Sequence, residues 1–226
     1  MRTIFCAITA LLLSGCAAAL PPADFVDPFT GPVSRFFLVP FEKFALTPEG
    51  LLRTDSTSRT SNGLDRPIAK TRSGRYLSRD FVFEVGVQIP PDHGDIAYVG
   101  FGAAQSNPLL DNEPTSAFLL RIHNLPSMPH YNIDLAVAVP NASGTIFHNH
   151  YVYLDKLGDY RPGQLMRFRI ERTGDRVTLS AIDVPNGSRT LSLKKYPGLF
   201  GNGDAYLFVT NSSEGTTFSD ASVRRP

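Results

Sequence analysis

The stretch Leu165–Val184, LMRFRIERTGDRVTLSAIDV, decides the fold. Met166, Phe168 and Ile170 alternate with Arg167, Arg169 and Glu171. Beyond the turn at Gly174 and Asp175, Val177, Leu179 and Ala181 alternate with Thr178 and Ser180. Successive side chains of a strand point to opposite faces, so period-two patterning on both sides of a Gly-containing loop spells an antiparallel hairpin with one apolar face. A lone hairpin cannot keep water off that face, and a second sheet must pack over it. The expected class is therefore all-β: a two-sheet antiparallel sandwich.

Outward from the hairpin, the same period recurs. Phe81, Phe83, Val85, Val87 and Ile89 share one face, with Glu84 and Gln88 on the other. Phe118, Leu120 and Ile122 alternate with Arg121 and His123, while Ile133, Leu135 and Val137 alternate with Asn132 and Asp134. Ile96–Ala103 is a continuous apolar run and reads as a strand buried on both faces. Phe36–Phe44 is interrupted by Pro40 and suits an edge strand. The segment 51–74 reads as an exposed loop with one or two short strands, its Arg53, Arg59, Arg66, Lys70 and Arg72 giving local positive charge. In all, about twelve short strands separated by turns describe a single sandwich domain over residues 35–226.

The N-terminus carries an address. Arg2 is followed by an apolar segment, Ile4–Leu13, too short to span a bilayer. Then comes Leu13-Ser14-Gly15-Cys16, which resembles the lipobox of bacterial lipoproteins. That resemblance implies a signal peptide over residues 1–15 and a lipidated, palmitate-bearing Cys16. By the same resemblance, Ala17 rather than Asp after the cysteine implies the outer over the inner membrane. Cys6 and Cys16 are the only cysteines, so an exported domain has no internal disulfide. Residues 16–34, small and Pro-rich, read as a flexible tether. Lys and Arg number 22 against 21 Asp and Glu, and removing Arg2 with the leader balances them. Such neutrality gives no electrostatic reason to expect nucleic acid as a partner.

The spacing from the Gly-centred hairpin to the final Leu207-x-Val209 and Phe218-x-Asp220-x-x-Val223 is similar to the C-terminal half of laminin-G-like and concanavalin A-like jelly rolls. This resemblance implies a jelly-roll sandwich and a carbohydrate ligand, and it leaves the activity open. Jelly-roll glucanases carry Glu-x-Asp-x-x-Glu on one strand, whereas Glu84 is followed by Val85 and Gly86 with no second acid on its strand. Lyases of the superfamily use Arg or Gln to neutralise a uronate, and His or Tyr to move the proton. His123, Arg121 and Gln88 would be that set here, and Tyr153–Tyr160 echoes the family's Tyr-rich motif with an extra residue.

The polar faces nominate Glu84, Gln88, Arg121, His123, Asn132 and Asp134 as one open binding surface, with Arg121 and His123 nearest its middle. No cofactor is called for. His148 and His150 share a strand face and are weak metal candidates, with His93, His123 and His130 as partners that nothing in the sequence brings together. Calcium is admitted by the loops Asp111-Asn112-Glu113 and Asn202-Gly203-Asp204. The expectation is a membrane-tethered, extracytoplasmic lipoprotein binding a glycan or cell-envelope component. A polysaccharide lyase and a structural or adhesive envelope protein are the alternatives.

Overall fold

The computed structural model describes residues 24–31, 33–54, 59–60, 63–64, 67–103, 116–139, 150–197, 199–200 and 203–226. In chain order the early strands are β1 (Phe25–Asp27), β2 (Phe37–Leu38), β3 (Phe44–Thr47), β4 (Gly50–Arg53), β5 (Arg59–Thr60), β6 (Gly63–Leu64) and β7 (Ile68–Thr71). The middle of the chain gives β8 (Phe81–Gln88), β9 (Asp95–Ala103), β10 (Ser116–Asn124), β11 (Asn132–Val139) and β12 (His150–Asp159). The remainder gives β13 (Met166–Thr173), β14 (Arg176–Ala181), β15 (Ser188–Ser192), β16 (Tyr206–Asn211) and β17 (Thr217–Arg224).

One sheet runs β15-β14-β13-β8-β17-β4-β3, with β1 also paired to β17. The other runs β12-β11-β10-β9-β16-β7-β2, and β5-β6 form a separate small hairpin. All described strand pairs are antiparallel, and the chain changes sheet between β1 and β2, β2 and β3, β4 and β7 (by way of the β5-β6 hairpin), β7 and β8, β8 and β9, β12 and β13, β15 and β16, and β16 and β17. This is a two-sheet antiparallel jelly-roll sandwich, and its two-layer packing is what the alternation required.

The hairpin behaves as its sequence dictates. Phe168 pairs with Ala181 and Ile170 with Leu179, and the inward side chains of both strands are buried. Gly174 adopts φ +59° at the first central position of the two-residue turn, the place where a type II′ hairpin requires glycine. Across the sandwich, Phe118, Leu120, Ile122, Ile133, Leu135 and Val137 meet the inner faces of β8, β13 and β14 in one continuous core. The β9 strand is buried on both faces. Gly100 lies directly beneath Phe208, where an added Cβ would stand 2.1 Å from the ring.

Two expectations change. The described residues between 24 and 34 are not tether: β1 pairs with β17, and Phe25 and Phe29 enter the core, where Phe25 stacks on Phe36 with ring centroids 4.2 Å apart. Asp27 clips this segment down, accepting from the Phe29 amide at 3.1 Å and the Ser34 hydroxyl at 2.5 Å. Within 51–74 the short strands expected there include β4 and β7, but these are mostly buried members of the two sheets rather than parts of an exposed loop. Arg53 is completely buried there, with its guanidinium 5.7 Å from the Phe44 ring and Nη1 donating to the Asn211 carbonyl at 3.4 Å. Pro40 does border an edge, as β2 closes one sheet and β3 the other.

Candidate functional site

Alternation predicts which side of its own strand a residue occupies, and for all six nominated residues that side is the outer one. The two-sheet topology then divides them. Arg121 and His123 on β10 and Asn132 and Asp134 on β11 share the outer face of the seven-stranded sheet. Glu84 and Gln88 on β8 belong to the opposite sheet, with the whole core between. The single shared surface is therefore corrected to four residues.

Glu84 and Gln88 are also occupied locally. Arg169, directly opposite in register, donates to Glu84 Oε1 at 2.6 Å, and Arg224 reaches the same oxygen at 2.9 Å. Gln88 donates to the Gly163 carbonyl at 2.9 Å. These contacts tie β8 to β13, β17 and the loop before β13. The lyase set of His123, Arg121 and Gln88 is consequently not assembled on one face. Tyr160, the end of the Tyr-rich echo, is buried in the core, where its hydroxyl bonds the Ile89 amide at 2.8 Å and the Gln164 carbonyl at 3.1 Å. Burial pushes that phenol up to about 12, against a smaller lowering by its Ile89 hydrogen bond and a further rise from the Asp95 charge.

The four residues that remain together sit at one end of a largely apolar face. Tyr98, Ala117, Leu119, Ala136, Ala138 and Phe208 pack there as a second hydrophobic cluster, flanked by Ile68, Ile96 and Tyr206. The expected open platform is thus absent at His123 and Asp134, whose side chains are only 7% and 9% exposed. Arg121 pairs opposite Asp134, so His123, two positions along β10, is a diagonal neighbour of that carboxylate. His123 Nε2 lies 3.0 Å from Asp134 Oδ2.

The tight connection Leu125–His130 then folds a second imidazole over the first. Leu125 and His130 exchange backbone hydrogen bonds at 3.0 and 3.3 Å, and the His123 and His130 ring centroids are 4.8 Å apart. Asn132 Nδ2 stands 3.1 Å from His130 Nε2. His130 was named in the sequence only as a remote partner of His148 and His150. A loop residue directly after Pro126 and Pro129 has no periodicity to place it. His148, Asp111-Asn112-Glu113 and Asn202 lie outside the described residues, as does the side chain of His150.

At the opposite edge of the same sheet is a surface cleft, bordered by Leu38, Pro40, Phe41 and Glu42 on one side and Ile68, Lys70 and Arg72 on the other. Pro40 starts the turn that carries Phe41 outward, where the ring is 53% exposed. The Lys70 ammonium stands 4.2 Å from the centroid of the Tyr206 ring. Arg72 is exposed and donates to the Ser34 carbonyl at 3.4 Å. An aromatic face, two cations and a carboxylate around one concavity suit a polar ligand that also has an apolar side.

The fold defines a class, the jelly-roll β-sandwich. Neither a protein-family model nor a curated protein matches the chain. Among solved structures it is similar to the Crh5 transglycosylase in complex with NAG, at 12% identity and a TM-score of 0.55, covering 91% of this chain and 85% of that one. The apo Crh5 transglycosylase aligns comparably, at 13% identity and a TM-score of 0.54 over 91% and 85% of the two chains. The carbohydrate-binding module CBM66 from Bacillus subtilis follows at 12% identity and a TM-score of 0.47, over 88% and 94%. At such identities the likeness is one of fold.

Proposed function

We propose that this protein is a lipid-anchored, extracytoplasmic jelly roll that binds a glycan or cell-envelope polymer without cleaving it. The observation that carries the reading is the cleft around Phe41. An exposed phenyl ring offers its face to the C–H side of a pyranose, Glu42 accepts from hydroxyls, and Arg72 grips a carboxylate or phosphate. The jelly-roll likeness to a transglycosylase solved with NAG supports a saccharide as the occupant. Against cleavage stand the missing second acid on the Glu84 strand and the separation of Gln88 from His123 and Arg121.

Detergent-solubilised full-length protein on a glycan array tests the reading. Binding to a restricted set of glycans, weakened about threefold to tenfold by Phe41→Ala, is the expected outcome, that being the usual worth of one aromatic contact. Failure to bind any glycan, or indifference to Phe41→Ala, rejects the cleft as the site. Release of unsaturated sugar from a uronate polymer would move the protein to the lyase class. The anchor is tested separately. Cys16→Ala should abolish palmitate labelling and leave an uncleaved precursor, whereas an unmodified Cys16 at the mature N-terminus would remove the membrane from the proposal.

A further inference from the structure

The His123–His130–Asp134 group asks for a ligand that the glycan reading does not supply. Each residue offers one ligating atom, and the three atoms all lie within 4.8 Å of one another. Both ring nitrogens of His123 are buried and have no hydrogen-bond partner among the described residues, although Nε2 is only 3.0 Å from Asp134 Oδ2. Leaving a buried polar atom unsatisfied costs about 1–3 kcal/mol, so an imidazole in that state is poised for something else. We infer that His123, His130 and Asp134 hold a divalent first-row metal ion, and that zinc is the ion their chemistry fits best.

Donor type carries the choice. Two imidazoles and a carboxylate suit zinc and its first-row neighbours, whereas calcium and magnesium favour all-oxygen shells. Adjacent ligands around tetrahedral zinc, with bonds of about 2.0–2.1 Å, stand about 3.3 Å apart. His123 Nε2 and Asp134 Oδ2 are close to that spacing already. His130 covers the remaining distance by a side-chain rotation, and it sits on the Leu125–His130 turn rather than inside a strand.

Asn132 fits the role of an outer partner. With its amide turned to present oxygen, the side chain 3.1 Å from His130 Nε2 fixes that nitrogen as N–H and leaves Nδ1 bare. Arg121 on β10 and Lys156 on β12 both stand opposite Asp134 in register, so each neighbouring strand sets a cation beside that carboxylate's position. Three protein ligands leave a fourth position for water or an incoming group. The ion would also clip the β10–β11 turn to the strands it joins.

The test uses chelator-stripped full-length protein in detergent, probed with zinc alone by calorimetry and with cobalt alone by visible absorption. One equivalent of zinc and the intense visible bands of low-coordinate cobalt are expected, with no competition from magnesium. Because His123 and Asp134 are buried and their replacement risks the fold, the deciding variant is His130→Gln, checked for an unchanged metal-free melting curve. It should weaken zinc about 100-fold or more and abolish the cobalt bands, while His93→Gln should change neither. Absence of the one-equivalent site overturns the assignment. So does a site that survives His130→Gln. Glycan binding is read on the array, so either proposal can fail without the other.

Discussion

Replacing Asp95 is the sharpest probe of how the two sheets are locked at one end. Its carboxylate is buried at the start of β9 and accepts from three backbone amides: Ile96 at 2.7 Å, Ser212 at 3.0 Å and Ser213 at 2.8 Å. Side chains of Ser212 at 2.9 Å, Asn211 at 2.7 Å and Thr216 complete the set. Not all of these donors would be stranded in Asp95→Ala. The Ile96 amide also reaches Ser212 Oγ at 3.2 Å, and the Ser212 amide also reaches the Ile96 carbonyl at 3.2 Å. Asn211 keeps the Ser213 carbonyl. The Ser213 amide and the hydroxyls of Ser212 and Thr216 have no such substitute among the described contacts. At about 1–3 kcal/mol for each of these three stranded donors, the loss is roughly 3–9 kcal/mol. Asp95→Asn should be no better than intermediate, because it keeps one acceptor but brings an NH2 group against a ring of donors. Urea denaturation followed by circular dichroism measures all three proteins. A loss below about 1 kcal/mol for Asp95→Ala would mean water or relaxation satisfies the loop as well as the carboxylate does, and the argument would fail.

Two more perturbations follow from the core. Phe168→Ala removes a fully buried ring and should cost about 3–5 kcal/mol, whereas Arg169→Ala, a partly exposed partner of Glu84, should cost no more than about 1 kcal/mol; equal losses in a denaturation series would overturn the face assignment. Tyr160 stays protonated in the folded protein up to about 12, against 10.0 for a free phenol. Unfolded chains shed that proton first, so the stability it contributes is intact below pH 10 and declines as the pH climbs toward 12. Tyr160→Phe should flatten that decline in alkaline melting curves, and an identical slope in both proteins would refute the link.

What the sequence made legible was the set of strands whose alternation is long, and what it concealed was which sheet each one joins. Glu84 and Arg121 look alike in sequence, each a polar residue between apolar neighbours. They end up on opposite faces of the molecule because period two reports only the buried side of a strand, and both sheets bury the same core. Phe25 and Phe29 were lost among prolines and alanines, since a three-residue strand has no room for a period. Arg53 escaped for a different reason: a charged residue reads as exposed unless its acceptors are known, and the Asn211 carbonyl is 158 positions away. His130 has no strand at all and is set by the turn. The carboxylate and imidazole that flank it, Asp134 and His123, were found through alternation alone.

The pairing of β1 with β17 also limits how far the domain can travel. Phe25 lies beside Val223, and the Arg225 amide donates to Asp24 at 2.7 Å, so Asp24 and Arg225 stand side by side at the same end of the sandwich. With acyl chains on Cys16, as proposed, eight residue steps separate the bilayer surface from Asp24. Even fully extended they reach only about 26–29 Å, roughly the length of one small domain. On that proposal the leash is short: the sandwich would patrol a thin layer next to its membrane, and a polymer captured by it would be drawn to that surface rather than bridged across a wide gap.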